Sequence, residues 1–496
     1  MQILLYTLIT IFLISLLFDF LNNYNMKNAF QTINEMGIGY NLGNLFDSYN
    51  FSQKIKTPDE QITLWGNSLP TKKMISNIKK YGFKTIRFPV TWMNFIDEYG
   101  NINSEWMSRV KEVVNWIIKK NLYCILNIQN DAEKGGWLYD GISSKNKYIN
   151  LWKQIAVEFN EYLVFESINK VSLRQIYELN YAYEILFNLT QSFIDIIRDS
   201  GGYNLKRLLI ISGMDNNYIY TCTSDYILPI DSSNKLAISI HYETPISFTK
   251  KDTDKSWGSE KDYKYLIYEF DSIKDYYVNK GIPIIFPDIG ILTEMDKQII
   301  SIREYLYSIF SISIDYGIMP CLWDTSNKKM GDINYYNRET NEWYDQKLSE
   351  IFLKISKDKH IKSSDFYYTT NLDTTTETSI LGDYFISLGK LKPLKIILNG
   401  NLYGTLYDDY DFTISSLDSE GEYFDVEFGP ENGKRQYDGT IIYTFDVSNY
   451  NCTNYIEIIK WYPDEMTFNN VTIEYNESFV SFNYKEFKTS ISTEIL

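Results

Sequence analysis

The sequence predicts a (β/α)8 TIM barrel followed by a C-terminal all-β sandwich, and three observations predict it. From about residue 36 to 325, eight short apolar runs alternate with longer amphipathic ones, the texture of βα units around a parallel sheet. Beyond about residue 379 only strand-length runs of alternating polarity remain. The charge changes at the same place: of a net −16, residues 365–496 carry −14, which sets a domain boundary near 365. A chain of 496 residues also exceeds what one core sustains, about 250–300 residues.

The elements follow in order. Residues 3–18, ILLYTLITIFLISLLF, form an uncharged apolar run shorter than the about 20 residues of a membrane span. They are read as a secretory signal over residues 1–20, with an uncleaved membrane anchor as the alternative. Sequons at Asn50, Asn188, Asn451, Asn470 and Asn476 fit a secreted glycoprotein. The barrel is assigned to 27–360. Its strands are MGIGYNLG, KTIRFPV, LYCILNI, LVFESI, RLLIIS, KLAISIH, IPIIFPD and MPCLWD, near-continuous apolar runs as expected of strands covered on both faces.

Between them, Trp106, Val110, Val113, Val114 and Ile117 recur at helical spacing over 104–121, with Ser104 as the expected cap. Met74, Ile75, Ile78 and Tyr81 after Pro70, and Ile299, Ile300, Ile302, Leu306 and Ile309 after Asp296, make the same pattern. The Thr-rich stretch TTNLDTTTET reads as part of a linker over 365–378, and residues 379–496 as the sandwich.

Composition excludes several functions. The acidic balance argues against a nucleic-acid partner, which clustered Lys and Arg would have to hold. Four cysteines without a CxxC and only two histidines argue against a zinc site, and against a disulfide framework. No cofactor and no metal are expected. Cys124 and Cys321 fall on strands three and eight, which are not neighbours, so both are expected as free thiols; Cys222 and Cys452 are left unassigned.

Functional groups of such a barrel sit at the C-terminal ends of its strands. In order these are Asn41 to Asn44, Arg87, Gln129 to Asp131, Asn169 and Lys170, His241 and Tyr242, Asp288, and Trp323. Seven segments, GIGYNLGNLFD, KKYGFKTIRFPVTW, LNIQND, LVFESIN, ISIHYETPISFT, GIPIIFPDIG and PCLWD, resemble the motifs of glycoside hydrolase family 5 in order and spacing, over roughly residues 27 to 355. That resemblance implies a retaining, cellulase-like β-glycanase, in which an acid/base and a nucleophile carboxylate stand about 5–5.5 Å apart.

The chain departs from the pattern where the chemistry lies. Lys170 occupies the acid/base position after Asn169, Asp288 the nucleophile position, and Gln129 and Asn130 stand where the family carries histidines. A lysine is ordinarily a cation at neutral pH and so a poor acid that must next serve as base. Aspartate withdraws its carboxylate by about 1.5 Å relative to glutamate, and misplacements of about 1 Å cost on the order of 100-fold in rate. Lys170 and Asp288 are therefore expected to form an ion pair across the cleft. Substitute acids are Glu166, Glu243 and Asp131.

What the resemblance retains is sugar recognition: Arg87 and Asn169 toward the nucleophile and a sugar hydroxyl, His241 and Tyr242 flanking the nucleophile, and Trp323 as a stacking floor. Gln129 and Asn130 join them as substrate-binding residues. Against this, Arg87 could simply neutralise Asp288, and His241, Tyr242 and Trp323 could be core groups. Trp65, Trp137 and Trp257 in loops are further stacking candidates. The C-terminal domain loosely resembles carbohydrate-binding or immunoglobulin-like modules.

The leading expectation is a secreted protein that binds a β-linked polysaccharide or oligosaccharide with impaired catalysis, alongside other polysaccharide-degrading proteins. The alternatives are a weak endo-β-1,4-glycanase using Asp288 and a substitute acid, and a surface protein anchored through residues 3–18.

Overall fold

The structure, a computed structural model, describes residues 27–357 apart from 53, 160–162, 252, 255, 259, 293–296, 298 and 327–332, together with the backbone of the strands between 369 and 475. The apolar run at 3–18, Cys452 and most of the Thr-rich stretch lie outside the described residues.

Eight parallel strands close into a barrel: β1 (Gly39–Asn41), β2 (Thr85–Phe88), β3 (Tyr123–Asn127), β4 (Leu163–Glu166), β5 (Leu209–Ser212), β6 (Leu236–Ser239), β7 (Ile284–Ile289) and β8 (Ile318–Leu322), each bonded to the next and β8 back to β1. Every run named from the sequence supplies one of them. Alternate residues of a strand face the barrel interior. A lower layer is apolar, built from Ile125, Val164, Ile210, Ala237, Ile285, Met319 and Cys321. Two residues further along their strands, Asn127, Glu166, Ser212 and Ser239 make a polar layer nearer the mouth, with Arg87 of β2 beside them.

The first helix, Ala29–Met36, sends Ala29, Ile33 and Met36 into the same apolar cluster. It crosses the N-terminal end of the barrel, since Lys235 before β6 donates to the Lys27 carbonyl and Thr85 at the start of β2 donates to the Met36 carbonyl at 2.7 Å.

The outer layer follows the helical spacing read above. Trp106, Val110, Val113, Val114 and Ile117 are buried on one face of Ser104–Ile118. Its cap is Asn103, whose side chain accepts from Glu105 N at 2.9 Å and Trp106 N at 3.1 Å, one residue before the expected Ser104. Helix Lys72–Lys80 buries Met74, Ile75 and Ile78 and is capped by Thr71. Cys124 and Cys321 are buried free thiols, and Cys222 is a half-buried one.

The C-terminal strands form two antiparallel sheets, the arrangement of an all-β sandwich. One orders Thr369–Thr370, Met466–Tyr475, Pro393–Leu402, Thr440–Asp446 and Gly433–Arg435; the other Tyr384–Gly389, Thr453–Lys460, Phe412–Leu417 and Tyr423–Phe428. Within the span expected as a linker, Thr369 and Thr370 pair with Thr472 and Val471 as an edge strand. β-branched threonines suit that role as well as they suit a polar connector.

Candidate active site at the barrel mouth

Arg87 is the hub of the polar layer. Its Nε donates to Glu166 Oε2 at 2.7 Å and Nη2 to Glu166 Oε1 at 3.1 Å, a two-pronged pair in which both side chains have no exposed surface. Nη1 donates to Asn41 Oδ1 at 3.0 Å, and Nη2 also to Asn169 Oδ1 at 2.9 Å and Gln129 Oε1 at 3.3 Å. Burial opposes the guanidinium charge, but the Glu166 carboxylate, helped by Asp288, more than offsets it and holds the Arg87 pKa above its usual value.

Arg87 thus neither reaches the surface nor pairs directly with Asp288. It is a positioning residue that fixes the amides of Asn169 and Gln129, which are nearly buried at the mouth. Glu166 also accepts from Asn127 and Ser239, each at 3.2 Å, and is a sealed structural charge. Asn41 donates to the carbonyls of Pro287 at 2.7 Å and Leu322 at 3.1 Å, tying β1 to the residue before Asp288 and to the end of β8.

Asp288 is aimed by an irregularity in β7. The β7–β8 pairing shifts between Phe286 and Ile289, where β7 carries one residue more than β8. Such bulges re-aim side chains beside active sites. Asp288 Oδ2 faces His241 Nδ1 at 3.6 Å, too far for a hydrogen bond. Asp288 Oδ1 and His241 Nε2 are sealed from solvent with no hydrogen-bond partner. Burial, reinforced by the positive charges of Arg87, Lys170 and Lys250 against the opposing Glu243, lowers the His241 pKa to about 3, so the imidazole is neutral at neutral pH. Glu243 stands in the same corner: one ligand atom each from His241, Glu243 and Asp288 lie within 4.8 Å of one another.

The ion pair between Lys170 and Asp288 does not form. Lys170, one residue beyond the anchored Asn169, is exposed and takes part in no ion pair among the described residues. A solvated ammonium gains little from such a pair in an open cleft, and the ends of β4 and β7 are three strands apart around the barrel. A cation that does pair in this corner is Lys250, 3.4 Å from Glu243 Oε1. Burial works against its charge, and Asp288 and Glu243 more than restore it, raising its pKa.

Other expectations divide. Tyr242 does not line the cleft: it is 2% exposed, stacks on Phe286 at 5.1 Å and donates to Glu269 at 2.6 Å. Alternation from inward Ser239 puts His241 inward and Tyr242 out toward the helices. Asp131 is unavailable as an acid, because it is buried and accepts from Trp92 N at 2.9 Å and Trp137 Nε1 at 2.6 Å. Burial pushes its pKa up to about 6, as it does for Asp47 and Asp324, which staple the loops after β1 and β8 through backbone amides.

Asn130 donates to the Asp47 carbonyl at 2.8 Å, bracing the β1 loop. Trp257 is core, packed against Tyr263 and Tyr305. Trp323 is half-buried at the end of β8, with its ring over Gly43, where a Cβ would meet it at 2.9 Å. Trp65 is half-buried beside Tyr49 at 5.4 Å, and Tyr49 packs on the 50% exposed Phe51 at 4.8 Å. Sequence reasoning named Trp65 but missed Tyr49 and Phe51 beside it, and it missed Lys250. None of the three falls in a motif, although Tyr49 and Phe51 sit in a loop at a strand's C-terminal end.

An eight-stranded parallel barrel whose mouth gathers buried amides, an imidazole, a carboxylate and a half-buried indole has the make-up of a glycoside hydrolase site. The chain belongs to glycosyl hydrolase family 5: the family model described as Cellulase (glycosyl hydrolase family 5) matches residues 45–329. It is similar to Endoglucanase A of Clostridium longisporum, 31% identical over 69% of this chain and 68% of that one. Among solved structures, it is similar to a GH5-4 broad specificity endoglucanase from an uncultured bovine rumen ciliate, with 48% identity, a TM-score of 0.64, and 67% of this chain and 99% of that chain covered. It is also similar to the family 5 lichenase from Caldicellulosiruptor sp. F32 in complex with cellotetraose, with 28% identity, a TM-score of 0.63, and 68% and 96% covered.

Proposed function

We propose that this protein is a secreted β-glucan-binding member of its family in which ordinary retaining hydrolysis is impaired. The observation that carries this reading is the pair of residues at the reacting positions: an exposed lysine where a proton donor is required, and an aspartate with a shortened reach where the nucleophile is required. The amides set by Arg87, and the half-buried Trp323 at the end of β8, support sugar binding. The relatives' endoglucanase and lichenase activities supply the substrate class.

A second reading, weak hydrolysis with Asp288 as nucleophile and Glu243 as acid, is favoured by the closeness of those two carboxylates. It has a geometric cost, because His241 and Asp288 belong to neighbouring strands, and Glu243, two residues past His241, stands on Asp288's side of the cleft. The family's acid comes from β4, across it.

Reducing-sugar release from soluble β-glucan, xyloglucan, mannan and xylan tests both, with affinity electrophoresis alongside. A silent wild type that retards in β-glucan gels, and a Lys170→Glu/Asp288→Glu double variant that gains turnover, are expected. Turnover by the wild type that disappears in Glu243→Gln and in Asp288→Asn establishes the second reading instead.

A further inference from the structure

We propose that His241, Glu243 and Asp288 form a binding site for one divalent transition-metal ion of the zinc type on the floor of the cleft. The inference goes beyond glycan binding, and its readout contains no glycan.

The first observation is convergence. His241 follows β6, Asp288 sits at the bulge of β7, and Glu243 follows two residues after His241; one donor atom of each lies within 4.8 Å of the others. The second is independent of that spacing. Neither imidazole nitrogen of His241 takes part in a hydrogen bond among the described residues, and its side chain is only 11% exposed. Asp288 has an oxygen sealed from solvent and equally unbonded. Buried polar atoms are almost always paired, yet neither side chain makes a hydrogen bond among the described residues: Nε2 and Oδ1 are sealed and unbonded, and Nδ1 and Oδ2 face each other across a gap. The facing pair, Nδ1 and Oδ2, stands 3.6 Å apart, just beyond a hydrogen bond.

A small cation drawn between them would bond both and bring Glu243 in as a third ligand. One imidazole and two carboxylates suit zinc and its neighbours; calcium and magnesium favour all-oxygen sets. Three protein ligands leave a position open for water or a sugar hydroxyl. Lys250, 3.4 Å from Glu243, is the resident counter-charge and would have to yield. The argument from cysteine and histidine spacing against zinc does not reach this site, because its ligands come from two strands and fall in no motif.

The protein contains two histidines, so in a His360→Gln background the ring of His241 is the sole imidazole. Zinc chloride is titrated into this full-length protein while the ring carbon–proton resonances are followed by NMR and bound zinc is measured by equilibrium dialysis. Expected are displacement of the His241 resonances at one equivalent, affinity lowered at least about tenfold by Glu243→Gln and by the near-isosteric Asp288→Asn, and tighter binding in Lys250→Met. Melting curves establish that each variant is folded, and Glu243→Gln alters a side chain 38% exposed, so the fold does not depend on it. Unmoved His241 resonances at millimolar zinc overturn the proposal. Zinc bound equally well by His241→Gln and Asp288→Asn protein, as the acidic C-terminal domain alone would give, overturns it too.

Discussion

Arg87→Met removes the guanidinium that holds Glu166, Asn41, Gln129 and Asn169, a loss of five hydrogen bonds at a side chain with no exposed surface. The largest cost is the Glu166 carboxylate, left buried with only Asn127 and Ser239 at 3.2 Å. Breaking one side of a buried pair costs about 3–5 kcal/mol. At about 2 °C per kcal/mol for a large domain, the melting transition of the barrel falls by about 6–10 °C. Glu166→Met strands the guanidinium and is expected to cost a similar amount. The double variant leaves neither charge unpaired, so its loss should fall short of the sum of the two singles by about 2–3 kcal/mol. Urea denaturation of the four proteins completes the cycle. Single losses that add to within about 0.5 kcal/mol would refute the account of a single charge-neutral hub.

Three further outcomes are expected. In a His360→Gln background the ring of His241 stays neutral to below about pH 4 by NMR titration, and a midpoint near 6 contradicts the burial argument. Because its pKa falls on folding, its contribution to stability is whole above about 6.5 and is lost as pH drops toward about 3; His241→Gln should lose that part of the wild-type pH dependence. Trp323→Ala weakens cellotetraose binding by about 10–100-fold in calorimetry, the usual cost of removing an aromatic anchor, and an unchanged affinity returns Trp323 to the core. Asp131→Ala frees Trp92 N and Trp137 Nε1 and costs about 1–3 kcal/mol, read by denaturant midpoint, with faster proteolysis between 131 and 141.

All eight barrel strands were legible because strands buried on both faces are written as apolar runs, and no competing structure buries them as well. The helix start was missed by one residue because Asn103 and Ser104 are both good caps. The site was legible only in which residues the strand ends carry, such as Lys170 after β4 and Asp288 on β7. Side-chain partners were not. Glu166 and Arg87 are 79 residues apart in sequence, and nothing local says that a carboxylate at the end of β4 turns to an arginine of β2 and away from the cleft. The bulge that aims Asp288 inserts one residue into β7 with no glycine to announce it. Tyr242 was misplaced for a readable reason, since strict alternation beyond Ser239 already sent it outward.

The helix Ala29–Met36 lies across the end of the barrel opposite the mouth, and the helix Gln346–Ile355 finishes at that same end, with Ser356 against Gly82 just ahead of β2. Both covalent connections therefore leave from the rear of the catalytic-type domain. Whatever precedes Lys27 and whatever follows Lys357 joins the barrel at its rear, so neither point of attachment lies at the mouth.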